Sequence, residues 1–326
     1  MESATNILLK VEGLKKYFPV RRGFLRRVAA QIKAVDGVDF DLAQGESLGL
    51  VGESGCGKST VARAILKLIE PDGGRILYRG RDITRFSAKE MKPLRKEMQI
   101  VFQDPFSSLN PRMTIGQSIE EGLRTLGYSK ERRHTRRDEL LEVVGLSAAT
   151  ADRYPHEFSG GQRQRVGVAR ALSVEASLII CDEPISALDV SIQAQIINLL
   201  KDLQQQLNLS YLFISHDLNV VSYLSDKVAV MYLGHVVEYA PAEALFAAPR
   251  HPYTLALLSA VPSVEPGQPS KLESLRGDVP SPMDPPPGCK FQGRCPLVED
   301  RCKRGDIAFT RISEDHVVRC WKVGGP

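Results

Sequence analysis

The chain has 326 residues, with 43 lysines and arginines against 39 aspartates and glutamates and a net charge of +4. Its 43% hydrophobic and 25% charged content is that of an ordinary globular protein of about two domains, which excludes a disordered, collagenous or disulfide-scaffold chain. The charge imbalance is too small to point to a nucleic-acid partner, the apolar runs fall far short of the roughly 20 residues of a membrane span, and residues 1–10 show no secretory pattern; a cytosolic chain without a transmembrane helix is expected. In chain order, residues 13–35 carry seven basic side chains (Lys15, Lys16, Arg21, Arg22, Arg26, Arg27, Lys33) and no acidic one, which reads as a solvated basic loop. Leu48-Gly49-Leu50-Val51 reads as a buried strand, with a helix over 61–69. The polar stretch 117–145 has leucines at helical spacing and predicts a helical insertion. Leu178-Ile179-Ile180-Cys181 predicts a second buried strand, followed by a helix with Ile192, Ile196, Leu199, Leu203 and Leu207 on one face and a third strand over 211–214. This alternation over the first 240 residues predicts an α/β fold with helices on a largely parallel sheet. Residues 266–288 hold seven prolines and predict a linker, leading into 289–320 with four of the six cysteines.

The chemistry begins at Gly52-Glu53-Ser54-Gly55-Cys56-Gly57-Lys58-Ser59, which matches G-x4-G-K-[ST] between a strand and a helix. Glycines let backbone N–H groups turn inward around phosphate oxygens, and the helix dipole adds positive potential. Lys58 then reaches the β and γ phosphates and Ser59 ligates magnesium. Such a loop needs a carboxylate at the end of a second buried strand to hold the metal, and Asp182 fits. Its neighbour Glu183 suits a different task, taking the proton of a water aimed at the γ phosphate. Cys56, at the start of the same helix, is expected to have a depressed pKa and to be alkylated unless ATP protects it; Cys181 is expected to be a core residue.

The stretch Phe158-Ser159-Gly160-Gly161-Gln162, 101 residues after Lys58, supplies another small-residue helix N-terminus. Here the sequence resembles the ATP-binding cassette (ABC) ATPases, whose LSGGQ-type signature it matches with Phe158 in place of leucine. The resemblance implies an ABC-type P-loop cassette, with a RecA-like core sheet and a helical subdomain bearing the signature. It implies ATP contacts from Gly52, Glu53, Ser54, Gly55, Cys56, Gly57, Lys58, Ser59 and Thr60, with Tyr17, or its neighbour Phe18, stacking on adenine. It further implies in-trans contacts from Ser159, Gly160, Gly161, Gln162 and Asp189 to the ATP of a facing cassette. Magnesium would be held by Ser59, Gln103 and Asp182, and catalysis carried by Glu183, with Gln103 on the attacking water and His216 on the γ phosphate.

Longer stretches are similar to one branch, the dipeptide and oligopeptide importers: 103–112, 154–162, 186–195 and His251-Pro252-Tyr253-Thr254. That likeness implies a peptide-importer ATPase in a heterodimer with a second ABC ATPase, joined to two transmembrane permease subunits and served by an extracytoplasmic solute-binding protein. Its place would be the cytoplasmic face of the inner membrane, as a peripheral subunit. The alternatives are an importer for another solute such as nickel, or a soluble non-transport ABC ATPase. The expected domains are 1–240 for the ATPase, with a helical subdomain near 104–172, a connecting region 241–288 and a small Cys/Pro-rich C-terminal segment 289–326. Cys289, Cys295, Cys302 and Cys320 have spacing unlike a zinc ribbon, and four thiolates suit a soft metal or iron-sulfur cluster. The resemblance implies [4Fe-4S], with zinc or unligated thiols as the alternatives.

Overall fold

The computed structural model describes residues 6–22, 27–104, 108–186, 188–260 and 277–323. The N-terminal third holds β1 (Ile7–Arg22), β2 (Arg27–Ala43), β3 (Ser47–Val51), α1 (Lys58–Ile65), β4 (Gly73–Tyr78), β5 (Arg81–Asp82), α2 (Ala88–Met91) and β6 (Met98–Val101). Next come α3 (Ile115–Thr125), α4 (Lys130–Val143), α5 (Gly160–Leu172), β7 (Leu178–Asp182), α6 (Val190–Leu207), β8 (Ser210–Ser215) and α7 (Leu218–Leu224). The last third contains β9 (Lys227–Tyr232), β10 (His235–Pro241), α8 (Ala242–Ala247), α9 (Pro252–Ser259), β11 (Thr310–Ser313) and β12 (His316–Val318). These elements form two compact units, one made of Met1–Ala43, Ser47–Arg85 and Ser215–Pro326, the other of Gln44–Glu46 and Phe86–Ile214.

In the first unit, β2, β1, β4 and β5 make an antiparallel sheet in that order. The basic stretch expected as a loop is instead the distal part of the β1–β2 hairpin, with Tyr17 opposite Lys33 and Val20 opposite Ala30. Leu9, Val11, Leu14, Val35 and Val38 are buried, while Lys15 and Arg21 are exposed and Lys16 and Lys33 partly so, which places this charge on a strand surface. Its tip, 23–26, lies outside the described residues. A second run of strands, β11-β12-β10-β9-β3, is mixed. β3 pairs parallel with β9, with Leu50 opposite Ala229, and the C-terminal hairpin β11–β12 extends the run by pairing Glu238 with Val318. Every residue of β3 is buried, the signature of a strand covered on both faces. α1 begins at Lys58 and stops at Ile65, short of the expected 69, because Lys67 takes a left-handed φ of 54° and the amides of Leu68 and Ile69 turn back to the carbonyl of Arg63.

The second unit contains the parallel strands β8, β7 and β6, with Ile180 opposite both Ile100 and Leu212. The expected helical insertion is the pair α3 and α4. Thr114 and Gln117 close a capping box at the start of α3, and Ser129 caps α4. Buried Glu120 on α3 receives Arg133 at 3.4 Å and Arg137 at 3.1 Å from α4, tying the two helices together. On α6 the buried stripe is Ile196, Leu200 and Leu203, spaced i, i+4, i+7; Leu207, expected to share it, is 49% exposed at the helix end beside left-handed Asn208. Residues 105–107 and 187 of the family-like stretches, and 261–276, which include the first part of the proline-rich tract, lie outside the described residues.

Candidate functional site

The phosphate loop lies in the first unit, between fully buried β3 and α1. Its glycines are there for backbone reasons. Gly52 (φ 151°) and Gly57 (φ 109°) occupy left-handed space, and a Cβ on Gly57 would sit 2.0 Å from the carbonyl oxygen of Ala34. Gly57 is also the N-cap of α1, so Lys58, Ser59 and Thr60 form its first turn with their amides at the positive end of the helix. Lys58 is 5% exposed and its Nζ donates to the carbonyls of Gly52 (2.7 Å) and Glu53 (3.1 Å), folding the ammonium back across the loop. Ser54 and Gly55 are exposed at its crest.

Cys56 does not behave as expected. Its side chain is buried, 4% exposed, and burial pushes the thiol pKa up in spite of the Lys58 ammonium 3.8 Å away. The loop supplies helix-dipole stabilisation, but desolvation of a thiolate is the larger effect, so selective alkylation at this residue is not expected. Cys181 is fully buried on β7, as anticipated.

Tyr17 and His216 are also in the first unit. Tyr17 donates its hydroxyl to Asp36, and its backbone N–H bonds Asp72 at 2.6 Å, so its ring is held half-buried while Phe18 is 37% exposed. His216 is exposed between Ser215 and Asp217, and that turn is held by bonds from the Asp217 N–H to Ser215 Oγ (3.0 Å) and from the Asn219 N–H to Asp217 (2.9 Å).

The second unit carries Gln103, Asp182, Glu183, the 159–162 turn and Asp189. Asp182 ends β7 and is 4% exposed. Glu183 has a φ of 48°, a conformation that costs a non-glycine residue about 1 kcal/mol or more. Its N–H donates to Ile214 at 2.9 Å, which holds the strained residue against β8. Its carboxylate accepts a 2.9 Å bond from Gln103 Nε2. The two residues are 80 apart in sequence and follow adjacent parallel strands, β6 and β7. Ser159 caps α5, accepting from the Gln162 N–H, while Gln162 Oε1 accepts from the Ser159 N–H at 3.0 Å. A Cβ at Gly161 would lie 2.3 Å from Ile192, which explains the small residue there. Asp189 is the exposed N-cap of α6, followed by Val190 at 81% exposure.

Two contacts to the phosphate loop were not foreseen. The Glu53 N–H donates to the hydroxyl of buried Tyr253 at 2.9 Å, and the Glu53 carboxylate receives both guanidinium nitrogens of Arg294 at 2.7 and 3.0 Å. The His251-Pro252-Tyr253 stretch thereby gains a physical role. His251 is buried, burial lowers its pKa to about 3, and its neutral Nδ1 accepts the Tyr253 N–H at 3.0 Å to start α9. The buried carboxylate of Glu238 accepts the N–H groups of Arg250 and His251 and meets His316 at 2.8 Å.

Cys289, Cys295, Cys302 and Cys320 line one cavity, together with Phe291 and Trp321. Gly288, at φ 71°, lets the Cys289 N–H reach the Cys302 carbonyl at 2.8 Å; a Cβ there would meet that oxygen at 2.4 Å. Burial, with the neighbouring thiols adding to it, pushes the Cys289 pKa up to about 11, and burial also raises Cys295 and Cys320. Among the described residues, no three His, Cys, Asp or Glu side chains are arranged to hold a single metal ion.

The ABC transporter family matches residues 35–186, and the oligopeptide/dipeptide transporter C-terminal region matches 237–302. The chain is 51% identical over 317 residues to the oligopeptide transport ATP-binding protein AppF of Bacillus subtilis, covering 96% of both chains. It is 48% identical over 324 residues to the oligopeptide transport ATP-binding protein OppF of Salmonella typhimurium, covering 97% of this chain and 96% of that one. A solved dimeric ATP-binding cassette, in a post-hydrolysis state bound to ADP and phosphate, superimposes with a TM-score of 0.63 at 28% identity, covering 72% of this chain and 98% of the other.

Proposed function

This chain belongs to the ATP-binding subunits of the oligopeptide and dipeptide importer family of ABC transporters, and we propose that it hydrolyses ATP to drive peptide uptake, pairing with a second ABC ATPase beneath two permease subunits. The observation that carries the catalytic reading is Glu183, a carboxylate held in strained backbone geometry and oriented by Gln103. Strain of this kind persists where surrounding structure over-determines it, as at catalytic positions.

In this reading the loop amides and Lys58 bind the phosphates of ATP. Ser59, Asp182 and Gln103 offer oxygen donors that suit a hard cation and would hold magnesium, which when bound would neutralise charge on the phosphates. Glu183 accepts the proton of the attacking water, Gln103 orients the carboxylate and water, and His216 donates to the γ phosphate. Ser159, Gly160, Gly161 and Gln162 serve the partner's nucleotide, because the capping box presents the start of α5 in one defined conformation. Exposed Asp189 and Val190 fit a cross-dimer contact. For the adenine, Phe18 is the more accessible ring and Tyr17 sets its strand position through Asp36.

An open groove of about 400 Å³ beside β6, lined by Gln99, Phe102, Glu121, Gly122 and Arg170, supports docking of a permease segment next to Gln103. No helix among the described residues is long and apolar enough to cross a membrane, so in this reading attachment to the inner membrane's cytoplasmic face runs through the permeases, which in turn receive peptide from a solute-binding protein. A strain lacking this chain should fail to take up labelled peptides, and the wild-type gene but not Glu183→Gln should restore uptake. Unchanged peptide uptake in a strain without other peptide importers, with loss of nickel uptake instead, would move the assignment to the other solute.

The cysteine segment is proposed to hold a [4Fe-4S] cluster. Four thiols on one cavity match its ligand count, and thiolate sulfur is the donor type such a cluster takes. When bound, such a cluster cross-links a short segment with little apolar core. Anaerobically purified protein should absorb near about 400 nm and contain roughly four iron atoms per chain. Zinc at one per chain, or colourless metal-free protein, refutes the cluster.

A further inference from the structure

We infer that Arg294 is a positioning residue for the phosphate loop, so that the cysteine-rich tail forms a working wall of the nucleotide site. Every polar handle of Glu53, the second residue of that loop, is engaged. Its N–H bonds Tyr253, its carbonyl accepts from Lys58, and its two carboxylate oxygens are taken by the two terminal nitrogens of Arg294. The pair is sheltered: the Arg294 side chain is 5% exposed and that of Glu53 24%. Bidentate, charge-assisted geometry of this sort fixes direction as well as distance.

Arg294 is itself held from behind. Its N–H closes a turn onto the Phe291 carbonyl at 3.0 Å, and the Gln292 N–H bonds the Cys289 carbonyl at 3.1 Å, so the turn is built on the cysteine segment. Phe291 packs edge-on against Tyr232 with ring centres 5.3 Å apart, and against Tyr253 at 5.4 Å. Tyr232 and Tyr253 are in turn 4.6 Å apart. The same aromatic cluster therefore supports both groups that grip Glu53.

The charge balance gives the arrangement a purpose. A carboxylate beside a loop that binds a triphosphate is repulsive to the ligand. Arg294 neutralises it and draws it toward the tail. Without Arg294, the carboxylate loses its counter-charge and the loop loses a lateral restraint, both of which weaken ATP binding.

The inference rests on the loop being the ATP site, and equilibrium ATP binding by the full-length wild-type chain checks that reading separately: no binding there refutes the site itself. Given wild-type binding, Arg294→Ala should raise the ATP dissociation constant about tenfold, with KM rising by a larger factor than kcat falls. Arg294→Lys, which keeps the charge but not the fork, should fall between the two. The double variant Glu53→Gln with Arg294→Ala removes the repulsive carboxylate but not the lost restraint, and should recover part of the lost affinity. Wild-type affinity in Arg294→Ala overturns the inference, and complete recovery in the double variant overturns the positioning role by leaving charge alone to explain the loss. Where Arg294→Ala does not fold, judged by thermal unfolding, Arg294→Lys decides: wild-type affinity in that variant refutes the role.

Discussion

Glu183→Gln is expected to bind ATP normally and to hydrolyse it at its own site about a hundredfold more slowly or worse, the usual range for losing a general base. The substitution is close to isosteric. Glutamine accepts the left-handed φ of 48° no less readily than glutamate, and its side-chain oxygen still accepts from Gln103 Nε2, so binding geometry survives while the capacity to take a proton does not. Single-turnover hydrolysis and nucleotide affinity, measured side by side in the assembled complex, separate the two effects. Steady-state turnover above about half of wild type would transfer the base role away from Glu183, with His216 the next titratable group to test.

Gly57→Ala is expected to abolish measurable ATP binding, whereas Gly55→Ala should retain it within about tenfold. Both glycines have positive φ, 109° and 78°, so each alanine carries backbone strain of about 1–2 kcal/mol. They differ in what the new methyl meets. At Gly57 it would lie 2.0 Å from the backbone carbonyl of Ala34 on β2, and at Gly55 nothing stands within 4 Å. A backbone oxygen in a long paired strand cannot swing aside as a side chain does. The displaced part must be the loop, and Gly57 is the N-cap that sets the direction of Lys58, Ser59 and Thr60. Equilibrium binding, with ATP-dependent thermal stabilisation as a second readout, tests the contrast. Equal affinities in the two variants would show that the loop yields more easily than its packing indicates.

The other contrast with expectation, at Cys56, has the same origin. The sequence places a cysteine at a helix N-terminus beside a lysine, a setting that lowers thiol pKa values. Folding buries it beneath the loop, where a Cβ on Gly52 would come within 2.9 Å of its sulfur, and desolvation outweighs the nearby positive charge. Burial is a property of what lies above a residue, which local sequence does not encode. The basic stretch at 13–35 is a similar case. Its charge pattern was legible, but its conformation depends on the pairing of β1 with β2, which forms only when the chain folds.

Motifs whose hydrogen bonds close within a few residues could be read directly from the chain. The phosphate loop turns around its own amides, Ser159 and Gln162 cap one another across one helical turn, and the buried strands β3, β7 and β8 announce themselves by unbroken apolar runs. The order of these motifs was enough to identify the family. Tertiary structure alone decided which groups orient them. Gln103 reaches Glu183 only because β6 and β7 lie side by side, and Glu53 meets Arg294 across 241 residues because the C-terminal segment folds back against the loop. A side-chain bond over such a separation leaves no periodicity or spacing in the sequence. Its partners are chosen by strand pairing and aromatic packing, and those exist only once the chain has folded.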